Sequence, residues 1–422
     1  MSGSSKDGWQ RRKVSRRALL GGAAGAAVGG AGLVLAGCGD DSPSGAGAAT
    51  ATPQVPSLIG PVDQQKQRRL RTGLTAWDPT KTFDGYTIFA PFQSTTAYAI
   101  DMMGEVVNTW TLSDAPTERQ IFSVSLLDNG NLFAWLYMPG ADAPPFVFKG
   151  GLLMEVDWDG NVVWEVEDPD QHHDALMLPN GNLLVLRAEP LPAGYAERVS
   201  GGLPPAFGDR MWTDWVAEMT LDGETVWEWH AWEHMEPEDY PINGVDGRDE
   251  WTHANGIAPM PDGNVVISFR NIDTLGVIDR ETGAFTKLLG APPIAQQHHP
   301  SVLDNGNILL FDNGAHRADS ALSYSRVVEI DPANGEIVWE YLDQSILNFF
   351  SPLVSSAQRL PNGNTLIAEG NFGRIFEVTS EGEVVWEYVS SYFILNPVLG
   401  EVNTIFRAER HPADAFQGAP GA

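Results

Sequence analysis

Nine histidines occur in the 422 residues, and five of them, His172, His173, His253, His298 and His299, fall inside one recurring phrase. It runs QHHDALMLPNGNLLVLR from Gln171, THANGIAPMPDGNVVISFR from Thr252 and QHHPSVLDNGNILLFDN from Gln297. Imidazoles act as bases, nucleophiles or metal ligands, and three of them make an ordinary zinc set. The second copy, however, ends on Arg270. A fixed cation disfavours a second one and suits an anion, so the pattern reads as a holder of a small oxyanion, with no metal and no cofactor. A single histidine of this kind needs no more than a neighbouring backbone carbonyl to explain it. It is the repetition, joined to Arg270, that points to a site.

The elements that must position these residues are hairpins, because each copy is an apolar run, a tight Asn-Gly or Asp-Gly turn, and a second apolar run. Two further copies, from Ile121 and Ser355, carry no histidine. A second phrase alternates with the first: a strand ending in a carboxylate, a Gly turn, then a strand ending in Trp. It appears from Met154, Ala217, Val328 and Phe376, with a degenerate copy from Ala97. Two hairpins every 40 to 50 residues, roughly, describe a four-stranded propeller blade. The expected fold is therefore all-β, a six-bladed β-propeller of four-stranded antiparallel blades, with the strand near Val402 to Arg407 closing the first blade. The repeated Trp164, Trp227, Trp339 and Trp386 are expected to pack blade on blade.

In such a blade the innermost strand starts at the histidine end, and the second strand returns antiparallel from the turn. That places Arg270 beside His253, Arg187 beside His173, and Asp312 and Asn313 beside His298, all on one rim. The same rim receives the long connections at 137–150, 188–214 and 231–250, where binding sites concentrate. Those loops are expected to bring Trp212, Trp215, Trp232, Tyr240 and Trp251 toward the channel mouth. Asp174 is expected to orient the ring of His173.

The chain opens with a different kind of segment. Residues 1–37 hold six positive charges and one Asp, followed by a Gly/Ala/Leu stretch, which reads as an export signal outside the fold. Ser15-Arg16-Arg17-Ala18-Leu19-Leu20 resembles a twin-arginine signal. Leu35-Ala36-Gly37-Cys38 resembles a lipoprotein box in which the one cysteine of the chain would be acylated; an uncleaved membrane anchor is the plainer alternative. Residues 38–57 then form a flexible leash, 58–82 a segment before the propeller, 83–410 the propeller and 411–422 a disordered tail. The expected location is extracytoplasmic, lipid-anchored to the outer face of the cytoplasmic membrane.

With Cys38 modified no thiol remains, which excludes disulfides and thiolate chemistry. Without the signal, Lys+Arg falls from 26 to 20 and Asp+Glu from 55 to 54, leaving a net charge near −34. Such a surface repels nucleic acid and anionic lipid. The expected partners are thus small molecules, and the membrane only through the lipid anchor.

The set His172-His173-Asp174, Trp251-Thr252-His253-Ala254-Asn255, Ser268-Phe269-Arg270-Asn271 and Gln297-His298-His299 resembles the bacterial arylsulfate sulfotransferases, over about Phe83 to Arg410. The resemblance implies a transferase that moves a sulfuryl group from a phenolic sulfate ester to a phenol, independently of the nucleotide donor PAPS, through a sulfohistidine. Carried over residue by residue, it makes His298 the nucleophile, with His299 as rival, and His253, Asn255, Arg270 and His173 the holders of the anion. His172, His299 and Asn313 complete the implied substrate-binding set. Studied members also carry an N-terminal β-domain and a disulfide, which this chain has neither room nor cysteines for. Two other readings compete: a quinoprotein dehydrogenase using pyrroloquinoline quinone and calcium, which requires eight blades, and a non-catalytic binding propeller, whose channel would lack converging His and Arg.

Overall fold

The computed structural model describes residues 58–64, 71–138, 143, 147–208, 210–290, 293–396 and 399–419. The signal, Cys38 and the leash lie outside the described residues. Six antiparallel sheets of four strands make up the propeller. The innermost strands of blades II to VI are Gln120–Leu126, Gln171–Met177, Ala254–Pro259, His298–Val302 and Ser356–Arg359. Blade I takes its innermost strand, Ile405–His411, from the far end of the chain and pairs it with Tyr86–Pro91. This closes the ring as expected, with the closing strand a few residues later than the apolar pattern suggested.

Each turn forms because its glycine adopts a left-handed backbone, as at Gly181, Gly306 and Gly363 (φ 83°, 83° and 86°). Asn or Asp before that glycine also accepts the backbone N–H two residues on, as Asn180 does from Asn182 and Asn305 from Asn307.

The alternation of the two sequence phrases has a physical cause in these turns. The asparagine after the glycine donates its side-chain N–H to the glutamate of the third strand. Asn131 reaches Glu155 (2.6 Å), Asn182 reaches Glu218 (2.6 Å), Asn307 reaches Glu329 (2.7 Å) and Asn364 reaches Glu377 (2.6 Å). In three blades the other carboxylate oxygen accepts from an arginine of the following blade: Arg280 on Glu218, Arg359 on Glu329 and Arg410 on Glu377. One carboxylate thereby fixes a turn and ties two blades together.

Apolar packing follows the same lateral scheme, with a buried cluster between each pair of neighbouring blades. The seam that closes the ring contains Phe89, Ile100, Ile375, Trp386 and Ile405. The repeated tryptophans serve these seams: Trp227, Trp339 and Trp386 donate Nε1–H to carbonyls of the next blade, at Arg280, Ser380 and Met102. Trp164 instead bonds Glu155 of its own blade.

Two segments differ from expectation. Gly73–Trp77, in the stretch before the propeller, adds a fifth strand to blade VI against Val384–Val389, covering an edge that would otherwise stay open. The segment after His411 is not a loose tail through residue 419. Phe416 is buried against Tyr86 and Trp158, and Gln417 bonds the carbonyl of Gly130. Burial of that ring and of Ala419, with the Gln417 hydrogen bond, holds a stretch whose Gly/Pro/Ala composition alone gives no reason for order.

Arg410 and Glu377 are both buried at the closing seam and meet at 2.6 Å. Removing one partner strands the other charge, so Arg410→Ala is expected to cost roughly 3–5 kcal/mol in denaturant unfolding. Arg410→Met combined with Glu377→Gln, which removes the stranded charge and keeps an oxygen for Asn364 and the Phe83 N–H, should recover much of that loss.

Candidate active site

A cavity of about 460 Å³ opens where the blades converge. Its wall draws on all six: Phe92 and Phe406 from blade I, Phe122 and Phe148 from II, His173 from III, His253 and Arg270 from IV, His298 from V, and Val354 at the start of VI. The four residues read as catalytic, His173, His253, Arg270 and His298, thus lie together. The rings of His173 and His253 are 4.6 Å apart.

Irregular backbone at the head of each innermost strand aims these side chains. The pairing register slips between Val185 and Arg187, between Ala254 and Gly256, and between His298 and Ser301. His173 and His253 take a left-handed backbone (φ 51° and 45°). A non-glycine residue held there marks a place where the fold overrides local preference. Gln297 anchors blade V to blade IV, donating from Nε2 to Ser268 Oγ and to the carbonyls of Phe269 and Thr274. That fixes the origin of the strand carrying His298.

Each imidazole has a different partner at Nδ1. His298 Nδ1 lies 2.7 Å from Asn313 Oδ1. Asn313 donates its own N–H groups to the carbonyls of Ser351 (2.7 Å) and Val354 (3.0 Å), so its oxygen is left to accept. His298 must therefore carry its proton on Nδ1, and Nε2 holds a lone pair without a partner among the described residues. His253 Nδ1 sits 2.7 Å from Glu250 Oε2. His173 Nδ1 sits 2.7 Å from His172 Nδ1, and His172 Nε2 is 3.0 Å from Asp214 Oδ1, off the line of a straight hydrogen bond.

Arg270 is not a bare cation. Its Nη1 meets Asp246 Oδ1 at 2.9 Å and Asn271 Oδ1 at 3.0 Å, while Gln296 Nε2 holds the other Asp246 oxygen at 2.6 Å. Arg270 Nε is buried without a partner, a donor for which the protein supplies no acceptor. Burial foremost, then the Arg270 charge, lowers His253 and His298 from 6.5 to about 3. Burial and the neighbouring His253 hold His173 well below its ordinary value. Burial first, then the Asp214 charge, raises Glu250 well above the usual carboxylate range.

Several sequence expectations are corrected. None of Asn255, His172, His299 or Asn313 belongs to the cavity wall. Asn255 is fully buried and donates to the carbonyl of Gln297, so it braces blade V and does not hold an anion. His172 stands behind His173, and Asn313 acts through His298. His299 faces away, close enough to Arg407 for that charge, after burial, to lower its pKa.

Asp174 does not orient His173 but clasps Arg407 with both oxygens (2.8 and 2.7 Å) and accepts from the Ile257 N–H. Arg187 lies opposite Gln171, because of the register slip, and turns to Asp168 at 2.6 Å. Asp312 is neutralised by Arg317 and Arg326. None of the expected rim aromatics lines the cavity: Trp212 and Trp251 are buried, Trp215 stacks on His230, and Trp232 and Tyr240 pack against the apolar cluster between blades III and IV.

The aromatic wall is made of phenylalanines that the sequence did not single out. Phe92 and Phe148 pack edge-on around Phe122, with ring centroids 5.0 and 5.5 Å away. Asp246 and Glu250 were also missed; the one available signal was Glu250 standing three residues before His253.

The profile of the arylsulfotransferase (ASST) family matches residues 124–391, well over half of the chain. The protein belongs to the arylsulfotransferase family, whose enzymes act on small aryl substrates. Among solved structures it is similar to a protein of unknown function from Bacteroides caccae, with 17% identity, a TM-score of 0.48, and 78% of this chain and 100% of that one covered. It is also similar to a streptogramin B lyase, at 12% identity and a TM-score of 0.43, covering 82% and 95%. These two likenesses concern the fold alone. No curated protein matches the chain.

Neutral buried imidazoles have a consequence for stability. The unfolded chain protonates its histidines near 6.5, whereas folded His253 and His298 resist until about 3. Stability present above 6.5 is therefore lost as pH falls through that window. The melting temperature should drop over the same range, and His298→Gln, which cannot titrate, should shrink the drop.

Proposed function

We propose that the protein transfers a sulfuryl group from a phenolic sulfate ester to a phenol, without a nucleotide donor, through a sulfohistidine at His298. The observation that carries this reading is the Asn313 amide. Locked by two carbonyls, it holds the His298 proton on Nδ1 and presents a free Nε2 lone pair at the cavity. A nucleophile needs both an available lone pair and an orienting partner.

Attack by Nε2 on sulfur forms the N–S bond as the ester S–O bond breaks, and the phenolate oxygen departs. Sulfuryl transfer, like phosphoryl transfer, gathers charge on the peripheral oxygens. Arg270, with an unpartnered Nε–H, and His173 stand in the wall to stabilise it. Phe92, Phe122, Phe148 and Phe406 offer the ring a contact surface. In the second half a phenol oxygen attacks sulfur and the S–N bond breaks, restoring His298.

Six blades count against the quinoprotein reading, which needs eight. The converging His and Arg count against a propeller that only binds. Export through the twin-arginine route and acylation of Cys38 remain part of the proposal and would place this chemistry outside the cytoplasmic membrane.

Incubated with 4-nitrophenyl sulfate, the protein should release nitrophenol in a phenol-dependent manner. Without acceptor it should carry one sulfuryl adduct on His298 by peptide mass spectrometry. His298→Ala should lower turnover by about 10³-fold or more, and Asn313→Leu by about 10- to 100-fold, through loss of the fixed tautomer. Activity that survives in His298→Ala and disappears in His299→Ala would transfer the role to the neighbouring residue. Cys38→Ala should move the protein from the membrane fraction of producing cells to the soluble one.

A further inference from the structure

We infer that Glu250 and His253 form the acid–base dyad that carries the phenol proton, with His253 as the group exchanging it and Glu250 as its positioning residue. The inference rests on the sulfohistidine reading above and gives His253 a role beyond holding an anion.

The argument compares what stands behind each imidazole of the cavity. His298 is backed by an amide oxygen, which accepts a hydrogen bond but cannot take up a proton. That suits a nucleophile. His173 is backed by another imidazole, and its ring lies edge-on to Phe122 and Phe148, centroids 5.2 and 5.6 Å away. Among the cavity imidazoles only His253 is backed by a carboxylate, Glu250 Oε2 at 2.7 Å from Nδ1. A base held by a third group in this way is the general arrangement for activating or protonating an oxygen.

Both members of the pair line the cavity together with His298. Both are also fixed from the backbone. The Glu250 carbonyl accepts from Asn271 Nδ2 at 3.2 Å, and the His253 carbonyl accepts from the Arg270 N–H at 3.0 Å. Glu250 is 5% exposed, so no bulk water competes for the shared proton.

The proton balance closes over the two halves of the reaction. In the first half, His298 Nε2 bonds to sulfur, the S–O bond breaks, and His253 Nε2–H gives its proton to the departing phenolate oxygen. A proton between Glu250 Oε2 and His253 Nδ1 settles on Nδ1 as Nε2 loses its own. In the second half, His253 Nε2 takes the proton of the incoming phenol, whose oxygen bonds to sulfur as the S–N bond breaks, and the Nδ1 proton returns to Glu250 Oε2. No net proton is consumed and no other reactant is required. Burial moves Glu250 toward its protonated form, the direction required of a group that holds this proton.

The test is single-turnover phenol release by wild type and Glu250→Gln, each with phenyl sulfate and with 4-nitrophenyl sulfate. Glutamine still hydrogen-bonds Nδ1 but cannot take the proton. Phenolate is a strong base and needs an acid to leave, whereas nitrophenolate does not. The rate with phenyl sulfate should fall by about 10²-fold or more, and the rate with 4-nitrophenyl sulfate by at least about tenfold less. The ratio of the two rates within one variant does not depend on how much of it folds. An equal fall with both donors, or no fall with either, overturns the dyad. The His298 adduct is measured in wild type in the same experiment, and its absence removes the sulfohistidine reading and the dyad with it.

Discussion

Glu218, Glu329 and Glu377 each sit where a turn of one blade meets an arginine of the next. This shared carboxylate is the constraint on which the rest of the molecule depends. A four-stranded sheet has two edges and cannot bury its faces alone, so a blade is stable only between neighbours. The carboxylate holds the turn with one oxygen and the neighbour with the other, linking local hairpin geometry to the closed ring. Apolar clusters between blades supply the bulk of the burial. The ion pairs fix which face of each hairpin meets it.

Closure lets short strands act as one site. Each histidine is placed by its own blade, yet the cavity has walls from all six. The cost is local: left-handed backbone at His173 and His253, and register slips at the strand heads. Irregular pairing on the axis turns side chains inward that regular alternation would send into the seams between blades. Arg270 reaches the cavity while Arg187, one residue nearer its turn glycine, points to Asp168, because successive residues of a strand face opposite sides.

Electrostatically the site is more balanced than a set of histidines beside an arginine implies. Asp246 shares the Arg270 guanidinium, and Glu250 backs His253. A full positive charge on so buried a side chain is expensive to keep unpaired. The Asp246 partner makes Arg270 tolerable to the fold, while its free Nε–H leaves a demand for an acceptor. The imidazoles stay neutral for the same reason: burial and the fixed cation both oppose a proton.

Blade number, blade order, the turns and the cavity histidines were legible in the sequence, because hairpin period, Asn-Gly turns and the recurring His, Glu and Trp are local features that repeat. The convergence of His173, His253, Arg270 and His298 followed from strand direction alone. What depended on register was not legible: Asp174 going to Arg407, Arg187 turning away, and His299 facing opposite to His298 although it is the adjacent residue. The Phe122 and Phe148 wall and the Asp246 and Glu250 carboxylates come from loops and strand heads without a repeating signature. Sequence determined which residues could reach the axis, since pairing and period are set within each hairpin. Only the closed ring decided which of them face the cavity, because a slip of one residue at a strand head reverses a side chain and the neighbouring blade selects the slip.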